Sequence, residues 1–458
     1  MIVEQLENIA GKDWVVTEKE RMLGYLVDET GTDVMPQPAS ELVLVKPANQ
    51  EEVSSILKLA DHEGIPVFPR GGGTGLCGGA IPTENGIILS LERMNRIDID
   101  HDNLMAIVEA GATLRELIDR VEKEGLFFPP HPGDESAQVG GLVACNAGGS
   151  RAVKYGIMRN YVKGIDVVLP AGEMLSLGGK LLKNNTGYDL MHLIIGSEGT
   201  LAVITRVILR LFAAAAASAT MIIPYDSRHD AINTVPEILQ SGIVPLAIEY
   251  VERNIVEISA EQLNMEWPCK KGNAQLMIIV EGKNKEEVYS QCKAISEICE
   301  GYNSLETLIG ETKREQDRIL KIRSNIYLAL KSKLADGLDV AVPPANLGKL
   351  MDAIDSIAQR FDTTIPMLGH AGDGNLHPIL MKDLLEGGGH NFVEVKKEIY
   401  REAVKLGGVI TAEHGLGRIR IPDMDICLGK KEIELMKGIK KLFDPNGILN
   451  PGCAVEAD

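Results

Sequence analysis

The chain has no run approaching the roughly 20 apolar residues that a membrane-spanning helix requires, which excludes such a helix. Its start, MIVEQLENIAGKDW, lacks the basic and then apolar pattern of an export leader, and the expected location is the cytoplasm. Positive charge is scarce. Lys and Arg number 47 against 65 Asp and Glu, a formal net charge of -18, so the basic surface needed for nucleic-acid binding is missing. An anionic ligand would therefore need a locally positive pocket. The seven cysteines, Cys77, Cys145, Cys269, Cys292, Cys299, Cys427 and Cys453, are odd in number and show no CxxC spacing, which argues against a zinc ribbon, a disulfide framework or an iron-sulfur motif. What is present is core-forming material: 458 residues, 45% hydrophobic and 24% charged, a length at which one core usually divides into two or three domains.

Local patterns place the elements. ELVLVK (Glu41 to Lys46) reads as a strand, and Asn49 with Glu52 offers a capping box. Val53, Ile56, Leu57 and Ala60 follow at helical spacing, Gly64 stops the helix, and Ile65 to Phe68 is the next strand. Strands are expected at Gly86 to Leu91, Met105 to Ala110 and Gly164 to Pro170, with a helix from Leu114 to Glu124. The long apolar strand within Leu201 to Phe212 runs into Ala213 to Ala217, read as a domain junction, although a short helix or simple spacer fits the same run. Beyond it, strands at Met221 to Pro224, Leu246 to Val251 and Leu276 to Glu281 alternate with helical stretches, the pattern of a ferredoxin-like unit. A final helix is expected to end at Asp444-Pro445. The expected class is α+β, divided into an N-terminal helical segment (1–37), an α/β domain (38–213), a cap domain (214–420) and a C-terminal helical segment (421–458).

Two groups of residues carry chemistry. Six glycines occur in nine residues from Gly71 to Gly79, directly after a strand, and bare backbone amides there could cradle a pyrophosphate, with Arg70 as countercharge. The spacing is not that of a nicotinamide-binding GxGxxG unit, and a tight glycine turn also fits. In LGHAGDGNLHP, His370 and His377 are seven residues apart. On an unbroken strand their rings would point to opposite faces, and the Gly-Asp-Gly turn is what could bring both to one point. Glu413 and His414 add a carboxylate and a third imidazole, and a His2Glu set suits zinc, iron or manganese with coordination positions left open. Without further support, GDG is also an ordinary turn.

PRGGGTGLCGG, HPGDESAQVGGLVACNAGGSRAVKYG and GSEGTLAVITRV, in this order, resemble the FAD domain of the vanillyl-alcohol oxidase and p-cresol methylhydroxylase superfamily over roughly residues 38 to 213. GHAGDGNLHP, AEHGLGR and FDPNGILNPG resemble the C-terminal domain of FAD-linked oxidases, over about 215 to 455, in the manner of D-lactate dehydrogenases and the FAD subunit of glycolate oxidase.

The resemblance implies a two-part FAD domain, a substrate-binding cap and a C-terminal helical segment returning to the flavin. It implies that Pro69, Arg70, Gly71, Gly72, Gly73, Thr74, Gly75 and Leu76 surround the FAD pyrophosphate. Pro132, Gly133, Asp134, Ser136, Gly140, Gly141 and Asn146 would line the flavin and ribityl regions, with Glu198 and Ile204 near the adenosine or isoalloxazine face; Asn450, in LNPG, could touch the flavin edge, and a turn-forming asparagine fits as well. FAD would be non-covalent, because Gly73, Thr74 and Gly75 stand where some members attach it through a histidine. His370, His377 and Glu413 would bind the metal, usually zinc, and His414 would be the base.

Arg323 would hold a substrate carboxylate through its planar donors, though a solvated helix arginine fits too. Ile379 replaces a polar residue of the hydroxyglutarate enzymes and points to a small monocarboxylate, D-lactate first and glycolate next. The implied reaction is hydride transfer from C2 to flavin N5, giving the 2-oxo acid, with electrons leaving to an electron-transfer flavoprotein or an iron-sulfur partner. The alternative is a non-redox transferase of the alkylglycerone-phosphate synthase type.

Overall fold

The computed structural model describes residues 2–455. The first β-α-β unit forms where local code demands it. Asn49 caps the helix Gln50–Glu63 by accepting from the Glu52 amide, and Gly64 ends it in the left-handed region at φ 64. The flanking strands Leu42–Val45 and Val67–Arg70 lie parallel on either side of Gly86–Ser90, with Val15–Val16 antiparallel at the edge. Arg70 therefore sits at the carboxyl end of a parallel strand, where ligands of open α/β sheets bind.

A second, antiparallel sheet follows in the order Ile97–Asp100, Met105–Glu109, Val203–Arg210, Val162–Val168, Met174–Gly178. It packs on the helix Leu114–Lys123, whose Leu114, Leu117 and Val121 are buried. The alanine run is not helical. Ala213 ends a two-residue strand paired with Leu126–Phe127, residues 213–216 are exposed, and Ala217 opens the next sheet.

That sheet runs Leu308–Gly310, Ala217–Tyr225, Ala274–Gly282, Ala247–Glu252, Met367–His370, Asn375–Met381, Leu334–Gly337, with Val340–Ala341 also paired to 375–381. Its first four strands have chain order 4-1-3-2, the ferredoxin-like arrangement expected from the alternation. Helices cover both faces. Arg228–Gln240, Lys285–Glu300, Leu347–Arg360 and His390–Lys405 share one core, while Arg253–Gln262 and Lys313–Ser324 share the other. Strands buried on both faces read as continuous apolar runs, so a polar residue inside one needs a specific partner.

The chain then returns to the first sheet. In the helix Lys430–Phe443, Lys440 stands at an apolar-spacing position and is buried; its ammonium pairs with Asp444 and donates to the carbonyls of Thr200 (2.9 Å) and Leu449 (2.8 Å). Leu449 bridges to Val67, and the Asn450 amide donates to the Val67 carbonyl. Among the described residues no helix is long and apolar enough to cross a membrane.

Candidate active site

The glycine loop and its companions are adjacent. A Cβ on Gly72 would lie 2.9 Å from the Ser136 carbonyl oxygen, and one on Gly71 would lie 3.6 Å from the Gly141 Cα. The strand end carrying Pro69 and Arg70, the turn carrying Pro132, Gly133, Asp134 and Ser136, and the helix Val139–Ala144 carrying Gly140 and Gly141 thus meet at residues 71–76. Asp134 stiffens its turn by accepting from the Ser136 amide and hydroxyl.

Among the described residues, the amides of 72–77 donate no hydrogen bond, although Gly78 on one side and strand Val67–Arg70 on the other are tied down. Amides without a protein partner, three of them on the glycines Gly72, Gly73 and Gly75, fit a pyrophosphate. Arg70 lies beneath the loop rather than beyond it. It donates to the Gly24 (2.9 Å) and Ala80 (3.4 Å) carbonyls, and only a glycine at 73 leaves room for its guanidinium.

The histidine turn resolves the parity problem. Met367–His370 and Asn375–Met381 form an antiparallel hairpin in which Leu368 faces His377 and His370 faces Asn375. Cross-strand partners share a face, as do residues two apart, so His370 and His377 emerge on the same side. Their ring centroids are 5.4 Å apart, and those of His377 and His414 are 5.2 Å apart.

All three imidazoles turn Nε2 toward Glu413, at 3.3 Å (His370), 3.6 Å (His377) and 3.8 Å (His414) from Oε1. Burial works to raise the Glu413 carboxyl, yet His370 and then His377 and His414 hold it well below the usual carboxylate range. Burial and His414 push His377 down to about 4. His370 moves the opposite way: Glu249 and Glu413 overcome burial and hold it well above the usual histidine value.

Among the described residues, the donor group whose ligand atoms all lie within 4.8 Å of one another is Asp339, His377, Glu413 and His414; His370 is outside it. Asp339 is already occupied. Its Oδ2 accepts from the amides of Ala412, Glu413 and His414 and from the Thr411 hydroxyl, and its Oδ1 accepts from Asn375. Through Oδ2 it shapes the Glu413 loop, while Oδ1 accepts a single hydrogen bond. The outer nitrogens separate the histidines further. His370 Nδ1 meets Glu249 Oε1 at 2.6 Å and His377 Nδ1 meets the Leu338 carbonyl at 3.3 Å, contacts that fix the tautomer leaving Nε2 open as a ligand. His414 Nδ1 is buried with no hydrogen-bond partner.

Other predicted residues hold the site together. Glu198, at φ 53, accepts from the Leu416 (2.9 Å) and Gly417 (2.8 Å) amides, tying the first half of the chain to the Glu413 loop. Ile204 is buried in the core of the second sheet. Asn146 accepts from the Arg159 amide. Asn450 donates to the Gly79 and Glu198 carbonyls and accepts from Arg418. Arg323 Nη2 lies 2.6 Å from Glu249 Oε2, while its Nε makes no hydrogen bond.

Glu249, Asp339 and Arg418 were not singled out from sequence. Glu249 left one signal, a carboxylate inside the run Ala247 to Val251 of the strand Ala247–Glu252, where its neighbours are Ala, Ile, Tyr and Val. Arg418 links the two halves, donating to the Gly78 and Gly79 carbonyls as well as to Asn450.

Residues 42–178 match the FAD binding domain family and residues 214–453 match FAD linked oxidases, C-terminal domain. The chain belongs to the FAD-linked oxidase family. It is 43% identical to a D-lactate dehydrogenase of Archaeoglobus fulgidus over 94% of this chain and 95% of the relative. It is 34% identical to the glycolate oxidase subunit GlcD of Bacillus subtilis over 98% of this chain and 96% of the relative. In fold it is similar to p-cresol methylhydroxylase, with a TM-score of 0.78 at 16% identity over 100% of this chain and 96% of that one.

Proposed function

We propose that the chain oxidises a small D-2-hydroxy acid, D-lactate first and glycolate next, to the 2-oxo acid, using non-covalent FAD and a divalent cation at His370, His377 and Glu413. The observation that carries this reading is the convergence of three Nε2 atoms on Glu413 beside the FAD domain, where a Cβ on Gly148 would come within 2.8 Å of Glu413 Oε2. The relatives named D-lactate dehydrogenase and glycolate oxidase subunit, of nearly equal length, support the substrate class.

When bound, the cation would acidify the substrate hydroxyl and FAD would take the C2 hydride. The protein's part is orientation and proton transfer. His414, which turns Nε2 toward the cluster 3.8 Å from Glu413 Oε1, receives the hydroxyl proton. Arg323, anchored on Glu249, turns its remaining donors to the substrate carboxylate. Ile379 lies two residues along the strand from His377 and is buried, so the same face continues as an apolar wall suited to a methyl group rather than a second carboxylate. Zinc suits the His2Glu donors, and iron or manganese would be accepted by the same set.

Reoxidation falls to an external electron-transfer flavoprotein or iron-sulfur partner, since the cysteines have no cluster spacing. The test is anaerobic mixing of FAD-loaded protein with a panel of D-2-hydroxy acids. Bleaching of the visible flavin band by D-lactate is expected; no bleaching by any member would overturn the reading in favour of a non-redox use of FAD.

A further inference from the structure

The segment before residue 38 closes one side of the glycine loop. Its Gly24 carbonyl accepts from Arg70, the Glu29 amide donates to the Gly75 carbonyl (2.9 Å), and the Thr30 hydroxyl accepts from the Gly78 amide (2.7 Å). From the other side, Tyr327 donates to the Glu29 carbonyl (2.7 Å) and Lys331 pairs with the Glu29 carboxylate. Within this stitched segment Asp28 is 5% exposed. Its Oδ1 accepts from the Thr30 amide (3.0 Å), but its Oδ2 is buried and has no hydrogen-bond partner. That oxygen lies 4.0 Å from where a Cβ on Gly75 would stand, so it faces the loop whose amides are also unpartnered.

A buried carboxylate oxygen without a donor costs stability, and such groups persist where something else supplies the donor. Burial raises the Asp28 carboxyl, while the Thr30 hydroxyl and amide, the Arg70 charge and the Ala80 amide, which lies short of full hydrogen-bond geometry, pull it back. Asp28 also lies within electrostatic reach of Cys145, Tyr327 and Arg418, one from each wall meeting at the loop. Cys145 precedes Asn146, so this junction borders the stretch expected to line the flavin and ribityl regions. An acceptor there cannot serve phosphates, which offer no hydrogen.

We propose that Asp28 is a cofactor-binding residue whose Oδ2 accepts a hydrogen bond from an O–H or N–H donor of the flavin half of FAD, either a ribityl hydroxyl or the ring N3–H. The inference rests on FAD occupying the glycine loop and is independent of the substrate.

The experiment uses the full chain stripped of FAD, with wild type, Asp28→Asn and Asp28→Ala titrated with FAD and melted with and without it. In Asp28→Asn the Thr30 amide keeps the side-chain oxygen, so NH2 replaces Oδ2 and donor faces donor. FAD affinity is expected to fall roughly 10- to 100-fold in both variants, the range for a hydrogen bond to a charged group. The melting temperature without FAD should stay level or rise, and the FAD-induced rise should shrink. A raised flavin reduction potential or shifted spectrum accompanying the loss assigns N3–H; an unchanged flavin assigns a ribityl hydroxyl.

Affinities within about twofold of wild type, tighter binding by Asp28→Asn, or an Asp28→Asn protein that fails to fold would overturn the proposal and leave Asp28 a structural carboxylate. Failure of wild type to bind FAD would overturn the FAD reading of the loop together with it.

Discussion

Replacing Glu249 with Gln tests whether the histidine cluster is a metal site held from behind. Glu249 is 1% exposed, with Oε1 2.6 Å from His370 Nδ1 and Oε2 2.6 Å from Arg323 Nη2. Gln keeps the shape but removes the charge that fixes the His370 tautomer and strengthens Nε2 as a donor. Outer partners of this kind are worth 10- to 100-fold in metal affinity, or about 1.4 to 2.7 kcal/mol. Arg323 would also lose its counter-ion. Breaking a buried pair costs about 3 to 5 kcal/mol, and the lower end applies because the Arg323 side chain keeps 14% exposure. Competition with a chromophoric chelator reads the first quantity and urea unfolding the second. Metal affinity within about twofold of wild type would refute the reasoning, because His370 would then be oriented without Glu249.

His414→Ala should slow flavin bleaching by D-lactate by roughly 100- to 10,000-fold while FAD and metal remain bound, and an undiminished rate in stopped flow would reassign the base. Gly148→Ala places a Cβ 2.8 Å from Glu413 Oε2 and 3.1 Å from its Cβ, so kcat and metal content should both drop in a folded protein; unchanged values for both would mean that Gly148 and Glu413 are not in contact. Arg420→Met leaves the buried Asp336 carboxylate without the guanidinium that grips both its oxygens, and urea unfolding should show a loss of about 3 to 5 kcal/mol, whereas a loss below about 1 kcal/mol would show the pair to be dispensable.

The sequence was most legible where the code is local. Asn49, the 53–60 spacing and Gly64 define a helix whose ends the structure reproduces within a residue or two. The parity of His370 and His377 forced a turn, and the hairpin supplies it. The 4-1-3-2 order was readable only as a motif type, from alternating strands and helices. The supports of the site were not readable because they are set by strand order: Glu249 meets His370 only because Ala247–Glu252 lies beside Met367–His370. Asp339 reaches the Glu413 loop through a bridge to Thr411. Lys440 shares the helical spacing of Ile433, Met436 and Ile439, but that spacing does not tell which partners, Asp444 and two carbonyls, surround its ammonium. Glu198 and Asn450 were expected near the flavin, and their polar atoms are engaged by the protein backbone and Arg418, connecting the two halves of the chain.

The most direct measurement joins metal and flavin in one sample: anaerobic D-lactate is mixed with FAD-loaded protein before chelation, after chelation, and after zinc is restored. The account predicts that bleaching is fast, then lost with FAD still bound, then recovered. Bleaching that continues at the same rate in metal-free protein would contradict it.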